Sequence, residues 1–323
     1  PPLTHPPTPH NYTLYSSSAA SDVYKRQVFG GSCGPVQAIR DWPTVSGTLY
    51  VVATPIGNLD DLTPRARQVL AEVDQIAAED TRHTGRLLTH IGAKTPQTPL
   101  HEFNEREVTE RLVGALRDGA DIALVSDAGT PLVSDPGYRL VAAARAASIR
   151  TVPVPGACAA IAALSVAGLA SDRFCFEGFL PTRSAARRRR LEALANESRT
   201  LLFYESVHRV AEAIKAMSEV FGAGRQATVA RELTKMYEEV VDATLGELAE
   251  RLADGRLATR GEFVIVVAGN PGADTNPAID ADALLLDLVD ALPGKQAAAI
   301  VARATGKSRN AMYRRMLELK ESK

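Results

Sequence analysis

ALVSDAGTPLVSDPGY runs from Ala123 to Tyr138. The apolar run Ile122 to Val125 has the length of a buried strand, and it empties into a loop dense in Ser, Asp, Gly, Thr and Pro. Asp135 followed by Pro136 predicts an N-cap residue beside a proline at the first helical position, and apolar spacing resumes at Leu140 and Val141. Gly129 and Gly137 let main chain approach a ligand closely, while Ser126, Asp127, Thr130, Ser134 and Asp135 supply a compact set of hydrogen-bonding groups. An ordinary strand-to-helix turn explains a single Asp-Ala-Gly. Two Ser-Asp pairs flanking Gly-Thr-Pro exceed what a turn requires.

Strand-like and helix-like segments alternate on both sides of this loop, which favours an α/β layer. Upstream, Thr48 to Ala53 reads as a strand, Thr54-Pro-Ile-Gly-Asn-Leu-Asp-Asp breaks it, and Thr63-Pro64 opens a helix. Gly57 stands alone, so the stretch is not the GxGxxG dinucleotide fingerprint. Gln75 to Ala78 is a short strand candidate that ends in Glu79-Asp80-Thr81-Arg82-His83-Thr84. A solvated helix start explains any one of these residues; together they suit the polar rim of an active site at a strand's carboxyl end. Leu100-His101-Glu102-Phe103-Asn104-Glu105 is similar in kind, and Val108 to Arg117 has the spacing of an amphipathic helix. Downstream, Thr151 to Val154 leads into Pro155-Gly156-Ala157 and an Ala-rich helix, which fits close packing against a flat ligand and a tight core helix equally well.

The second half continues with a strand Phe174 to Phe179, a helix Ala185 to Asn196 and a strand Arg199 to Tyr204 ending in Glu205. A helix Val207 to Phe221, a strand Ala227 to Ala230, a helix Leu245 to Leu252 and a strand Glu262 to Ala268 follow. Pro181 to Arg199 carries six arginines against two glutamates. A solvated helix face is one explanation; but Arg187, Arg188, Arg189 and Arg190 are consecutive and spread charge around a helix, which suits phosphates better than one carboxylate. Past Asn270 the composition shifts to a linker, an acidic apolar helix (Ile279 to Leu292) and a unit with eight Lys or Arg against two Glu from Gly294 to Lys323. Its two short helices meet at Thr305-Gly306 in the manner of a helix-turn-helix, with Lys307, Arg309 and Arg314 as candidate RNA contacts.

SDAGTPLVSDPG, TPIGNLDDLT, EGFLP, FYES.HR and RELTK resemble motifs of the ribosomal RNA small subunit methyltransferase I family, a branch of the tetrapyrrole methylase-like superfamily, and the likeness spans nearly all of Gly47 to Gly269. The resemblance implies two α/β subdomains with the donor site between them and a small helical C-terminal domain. The expected divisions are 1–46 (a disordered leader), 47–154, 155–270 and 277–323. Within the leader, Ser17 to Gln27 (SSAASDVYKRQ) looks like a translated transposon sequencing adapter and is excluded from the fold. The implied activity is methyl transfer from S-adenosyl-L-methionine to the 2′-hydroxyl of a decoding-centre cytidine, in the cytoplasm, by a homodimer. The partner is small-subunit ribosomal RNA or the assembled small subunit.

By the same resemblance the donor is held by Pro55, Gly57, Asn58, Asp127, Gly129, Thr130, Ser134, Asp135, Pro155, Gly156, Ala157, Tyr204 and Glu205. A proton acceptor for the hydroxyl is sought among Glu79, Asp80, His83, His101, Glu102 and Glu105, without a choice among them. The family's usual second His is replaced here by Phe103. Two alternatives remain open: a small-molecule methylase of the tetrapyrrole or diphthamide type, and a non-catalytic RNA-binding assembly factor.

The bulk properties fit. A chain of 323 residues with 45% hydrophobic content can bury a sizeable core, and a net charge of -1 leaves any nucleic-acid argument to local patches. Cys33, Cys158 and Cys175 form no metal-ligand or disulfide pattern. The most apolar segment, Ala157 to Ala170, is too short for a membrane span of about 20 residues.

Overall fold

Alternation of buried apolar runs with capped helices builds the first layer of the computed structural model, which describes residues 46–272, 281–289 and 291–321. The leader up to residue 45 and the linker after Gly272 lie outside the described residues. Thr48–Val52 (β1) leads through a 3₁₀ turn to Pro64–Glu72 (α1), whose Thr63 N-cap hydroxyl accepts the Ala66 amide at 3.1 Å. Gln75–Ala78 (β2), Thr81–Ile91 (α2), Gln97–Pro99 (β3), Glu105–Arg117 (α3), Ile122–Val125 (β4), Tyr138–Ala146 (α4) and Arg150–Val154 (β5) complete it. The strands pair in the order β3-β2-β4-β1-β5, all parallel. Crossover helices bury both faces: Leu49, Leu112, Leu124 and Leu140 share one core, and Val52, Leu70, Ile76 and Val125 another.

One local expectation is corrected here. Asp135 and Pro136 do not open α4; the helix starts at Tyr138 after Gly137, whose φ is 117°. The free amides at that end are satisfied from elsewhere in the fold: the buried Glu105 carboxylate accepts from Gly137 N at 3.0 Å and Arg139 N at 3.1 Å. Asp135 is thereby left to face a cavity.

The second layer is mixed. Ala159–Val166 (α5) follows β5, then come Phe174–Phe179 (β6), Ser184–Leu194 (α6), Thr200–Glu205 (β7), Val210–Phe221 (α7), Gln226–Arg231 (β8), Glu239–Thr244 (β9), Leu245–Ala253 (α8) and Phe263–Val267 (β10). The order is β6-β7-β10-β8-β9, with only the β6–β7 pair parallel. The strand β9 has no counterpart in the sequence reading. On one face Phe203, Ile214, Leu248 and Ile265 are buried together with α6, α7 and α8; on the other, Ala160, Ala163 and Leu164 of α5 pack on Leu202, Val264 and Val266. The chain thus commits to the second sheet immediately after β5.

The basic tail is a three-helix unit of Ala281–Val289 (α9), Gly294–Thr305 (α10) and Arg309–Glu321 (α11) around Leu285, Val301, Met312 and Met316. Gly306, at φ 68°, lets the chain reverse between α10 and α11. Among the described residues no helix is long and apolar enough to cross a membrane.

Candidate active site

Parallel pairing places the carboxyl ends of all five strands of the first sheet on one edge, so the loops after β1, β2, β3, β4 and β5 gather there. They are laced together by main-chain bonds. Thr54 N donates to Gly129 O at 2.8 Å and Gly129 N returns to Thr54 O at 3.1 Å. Thr130 Oγ1 donates to Ala157 O at 3.0 Å, joining the loop after β5. Asp127 takes the Asp80 amide on Oδ1 at 3.0 Å and donates its own amide to Glu79 Oε2 at 3.3 Å.

The loop after β4 holds its shape at a conformational cost. Leu132 and Ser134 adopt φ of 76° and 70°, and Glu232 and Thr234 in the loop after β8 adopt 51° and 66°. Left-handed backbone at a non-glycine residue costs about 1–2 kcal/mol and persists where the surroundings over-determine it. These two loops each touch the opposite layer. A Cβ on Gly178 of β6 would stand 3.2 Å from Ser134 Oγ, and one on Gly57 would collide with the Lys235 side chain.

Between the two sheets lies a cavity of about 420 Å³. The first layer contributes Ile56, Glu79, Asp127, Gly129, Thr130, Ser134 and Asp135; α5 contributes Ala159; the second layer contributes Phe179, Tyr204, Glu205, Ser206, Val207, Gly261 and Glu262 just before β10, and Phe263 and Val264 at its start. Tyr204 is braced by the rings of Phe176 at 4.9 Å and Phe179 at 5.7 Å, both edge-on.

The electrostatics are those of carboxylates withdrawn from water. Burial pushes the Glu79 carboxyl above its ordinary range against the pull of the Asp127 amide, and the charges of Asp135, Asp127 and Glu102 push it further. Burial raises Asp135 too, with a Ser126 hydrogen bond opposing. Burial likewise raises Glu205, opposed by the Ser206 amide and Arg209, and it raises the Tyr204 phenol. An acidic pocket with apolar walls at Ile56, Phe179 and Val264 suits a positively charged ligand that also carries an apolar part.

A family model for tetrapyrrole (corrin/porphyrin) methylases matches residues 48–249, and one for the RsmI C-terminal HTH domain matches residues 275–320. The chain is 54% identical over 275 residues to ribosomal RNA small subunit methyltransferase I of Pseudomonas aeruginosa, covering 84% of this chain and 98% of that protein. It belongs to the ribosomal RNA small subunit methyltransferase I family. The Haemophilus influenzae member is 52% identical over 271 residues, covering 83% and 96%. Among solved structures, diphthine synthase shares the fold at a TM-score of 0.53 and 15% identity, over 69% of this chain and 90% of that one. The uroporphyrin-III C-methyl transferase of Thermus thermophilus, complexed with S-adenosylhomocysteine, aligns at 0.50 and 19% identity, over 69% and 97%.

In this member of the methyltransferase I family, Glu79, Asp127, Gly129, Thr130, Ser134, Asp135, Tyr204 and Glu205 line the cavity. Pro55 and Gly57 flank the lining residue Ile56, while the Asn58 side chain accepts the Asp60 amide at 3.1 Å within its own turn. Pro155, Gly156 and Ala157 are not among the lining residues: Ala157 is tied to the lining residue Thr130, and a Cβ on Gly156 would come within 2.9 Å of Ala53 Cβ.

The proton-acceptor candidates separate. Asp80 caps α2 and chelates Arg82. His83 is exposed on α2, Glu102 is exposed, and Glu105 is committed to α4. His101 is half-buried, with Nδ1 enclosed and its ring edge-on to Phe103 at 6.1 Å. Only Glu79 of that set lines the cavity.

The arginines of α6 also separate. Arg187 is 6% exposed and pairs with Glu212 at 3.0 Å, so it faces inward. Arg188 pairs with Glu192 and Glu219, Arg190 with Glu177, and Arg189 is exposed. Lys307 and Arg309 line an open groove on the C-terminal helices, and Arg314 is exposed. The sequence singled out none of the cavity residues Val133, Phe179, Val207 and Gly261 to Val264; Val133 and Phe179 at least stood in quoted motifs, whereas β10 reads as plain core.

Proposed function

We propose that this protein transfers the methyl group of S-adenosyl-L-methionine to the ribose 2′-hydroxyl of a cytidine in the decoding centre of small-subunit ribosomal RNA. Its family makes it an S-adenosylmethionine-dependent methyltransferase of ribosomal RNA. The finer reading, a cytidine and its 2′-oxygen, is carried over from the family resemblance. The observation that carries the donor assignment is the cluster of four carboxylates, Glu205 buried and Glu79, Asp127 and Asp135 half-buried, at a cavity between the two sheets. The cavity falls in the usual range of about 300–1,000 Å³ for a small-molecule site.

When bound, the donor supplies a methyl already made electrophilic by its sulfonium. The protein's residues align and desolvate. Asp127, Asp135 and Glu205 offer negative charge to the cationic groups, the Gly129 and Thr130 loop presents main chain, and Ile56, Phe179 and Val264 exclude water. Glu79 is the residue we assign to take the hydroxyl proton, since it alone of the candidate acceptors lines the cavity, and burial raises its pKa and so strengthens it as a base. Arg189 with Lys307, Arg309 and Arg314 would meet RNA phosphates. A homodimer in the cytoplasm belongs to the same proposal.

The test is incubation of the protein with labelled donor and undermethylated small subunits, followed by mapping of the label. A label on a cytidine 2′-oxygen is the expected result. A label on a base, or transfer only to a tetrapyrrole-like acceptor, replaces it, and absence of donor binding by titration calorimetry points to the assembly-factor alternative.

A further inference from the structure

The helix α2 begins directly behind Glu79 and carries Arg82, His83, Arg86 and His90, all exposed, with no Asp or Glu between Thr81 and Ile91. At 100° per residue these four positions fall within an arc of about 100° on one side of the helix. On α6 three of the four consecutive arginines are engaged by carboxylates, whereas of the four α2 residues Arg82 alone is ion-paired among the described residues, to the N-cap carboxylate. On α2 the acid at hand is Asp80 at the N-cap, whose ion pair leaves the Arg82 side chain 88% exposed.

Two aromatic rings stand in water at the same edge. Phe103 is 96% exposed and Tyr138 is 75% exposed. Phe103 lies in the loop after β3, the strand next to β2, and strands sit about 4.8 Å apart, so this loop neighbours Glu79. Glu102 is close enough to act electrostatically on the Glu79 carboxyl. Glu105, two residues beyond Phe103, grips the amides on either side of Tyr138 and so ties the start of α4 to the same loop. Rings of this size left uncovered at the edge where α2 begins with Arg82 and Arg86 match the two needs of unpaired RNA: a π-face for each base and charge for each phosphate.

We infer that the rim formed by α2, Phe103 and Tyr138 is a cradle for the single-stranded RNA flanking the methylated nucleotide, with the two rings stacking on bases and Arg82 and Arg86 on phosphates. The inference rests on the ribosomal RNA reading above and adds to it a surface on the first layer, separate from α6 and the C-terminal helices. Base stacking tolerates any sequence, so the cradle positions the strand and the cavity selects the nucleotide.

The test uses the full chain and undermethylated small subunits. Phe103→Ala and Tyr138→Ala each raise KM for the subunit about tenfold, with kcat at saturating subunit, donor affinity and melting temperature unchanged; Phe103→Trp restores KM. Arg86→Gln lowers the slope of log affinity against log salt for a single-stranded RNA by about 0.7, one phosphate contact. Wild-type methylation combined with unchanged KM and salt slope in these variants overturns the cradle alone. Failure of the wild-type protein to methylate subunits overturns the acceptor reading, and the cradle with it.

Discussion

The phenol oxygen of Tyr204 accepts a hydrogen bond from the amide of Ala160 at 3.1 Å. Ala160 is in the first turn of α5, where amides have no partner within the helix, and Tyr204 is at the end of β7, so the bond ties the loop after β5 to the second sheet. Burial keeps the phenol protonated at every physiological pH. Tyr204→Phe removes the acceptor and keeps the ring stack, and we expect a loss of about 1–2 kcal/mol in stability with a weaker donor complex. Chemical denaturation with and without donor measures both effects.

Glu79 and Glu105 are carboxylates of opposite occupation. Glu105→Ala strips two amides of their acceptor and should cost about 2 kcal/mol, lowering the melting temperature by roughly 4–8 °C, while the folded fraction keeps its turnover. Glu79→Gln should do the reverse, with turnover down about 10²–10⁴-fold and stability kept or improved. Single-turnover rates beside thermal melts distinguish them; equal loss of turnover in both would remove the assignment of Glu79 as proton acceptor.

The raised Glu79 pKa has a consequence for pH. A carboxyl whose folded pKa exceeds its unfolded value contributes stability that is fully present below the ordinary carboxylate range and is lost as pH rises through the raised value. Burial acts in this direction on Glu79, Asp135 and Glu205 alike. Donor-free Glu79→Gln should therefore be more stable than wild type at pH 7, with the difference shrinking as pH falls toward 4.5. Urea midpoints across that window check the sign. The same titration should give wild-type turnover an acid limb that Glu79→Gln lacks.

Arg187 and Arg189, two positions apart on α6, should behave differently. Arg187→Met removes a side chain packed inside the fold and paired with Glu212, so stability should fall by about 1–2 kcal/mol with RNA affinity unchanged per folded molecule. Arg189→Gln should leave stability within about 0.5 kcal/mol and reduce the salt dependence of RNA binding. Filter binding at several salt concentrations, normalised to active donor sites, separates the two.

From its letters alone this chain declared its layers and where its chemistry gathers. Ile122–Val125, Gln75–Ala78 and Phe174–Phe179 are strands at the residues expected, because each is a buried run bounded by turn formers. Thr63-Pro64 caps a helix because that preference is local. The family resemblance marks Asp127 and Gly129 for the donor and leaves Glu79 as one of several acceptor candidates; the parallel strands bring all three to one cavity because the loops at their carboxyl ends converge.

Tertiary structure decided which polar groups remained for function. Asp135-Pro136 lost its capping role because Glu105, distant in sequence, satisfies the α4 amides; no local rule registers such a partner. Arg187 and Arg189 are the same residue type two positions apart, about 200° around the helix, and the packing of α6 on α7 decides which of the two turns inward. The strand β9 alternates half-buried and exposed residues, with only Ala243 buried, at the edge of its sheet, a weaker signal than a continuous apolar run. The far wall of the cavity comes from β10, whose letters specify only that it is buried; what it faces is set by how two sheets meet, and that is a property of the assembled fold.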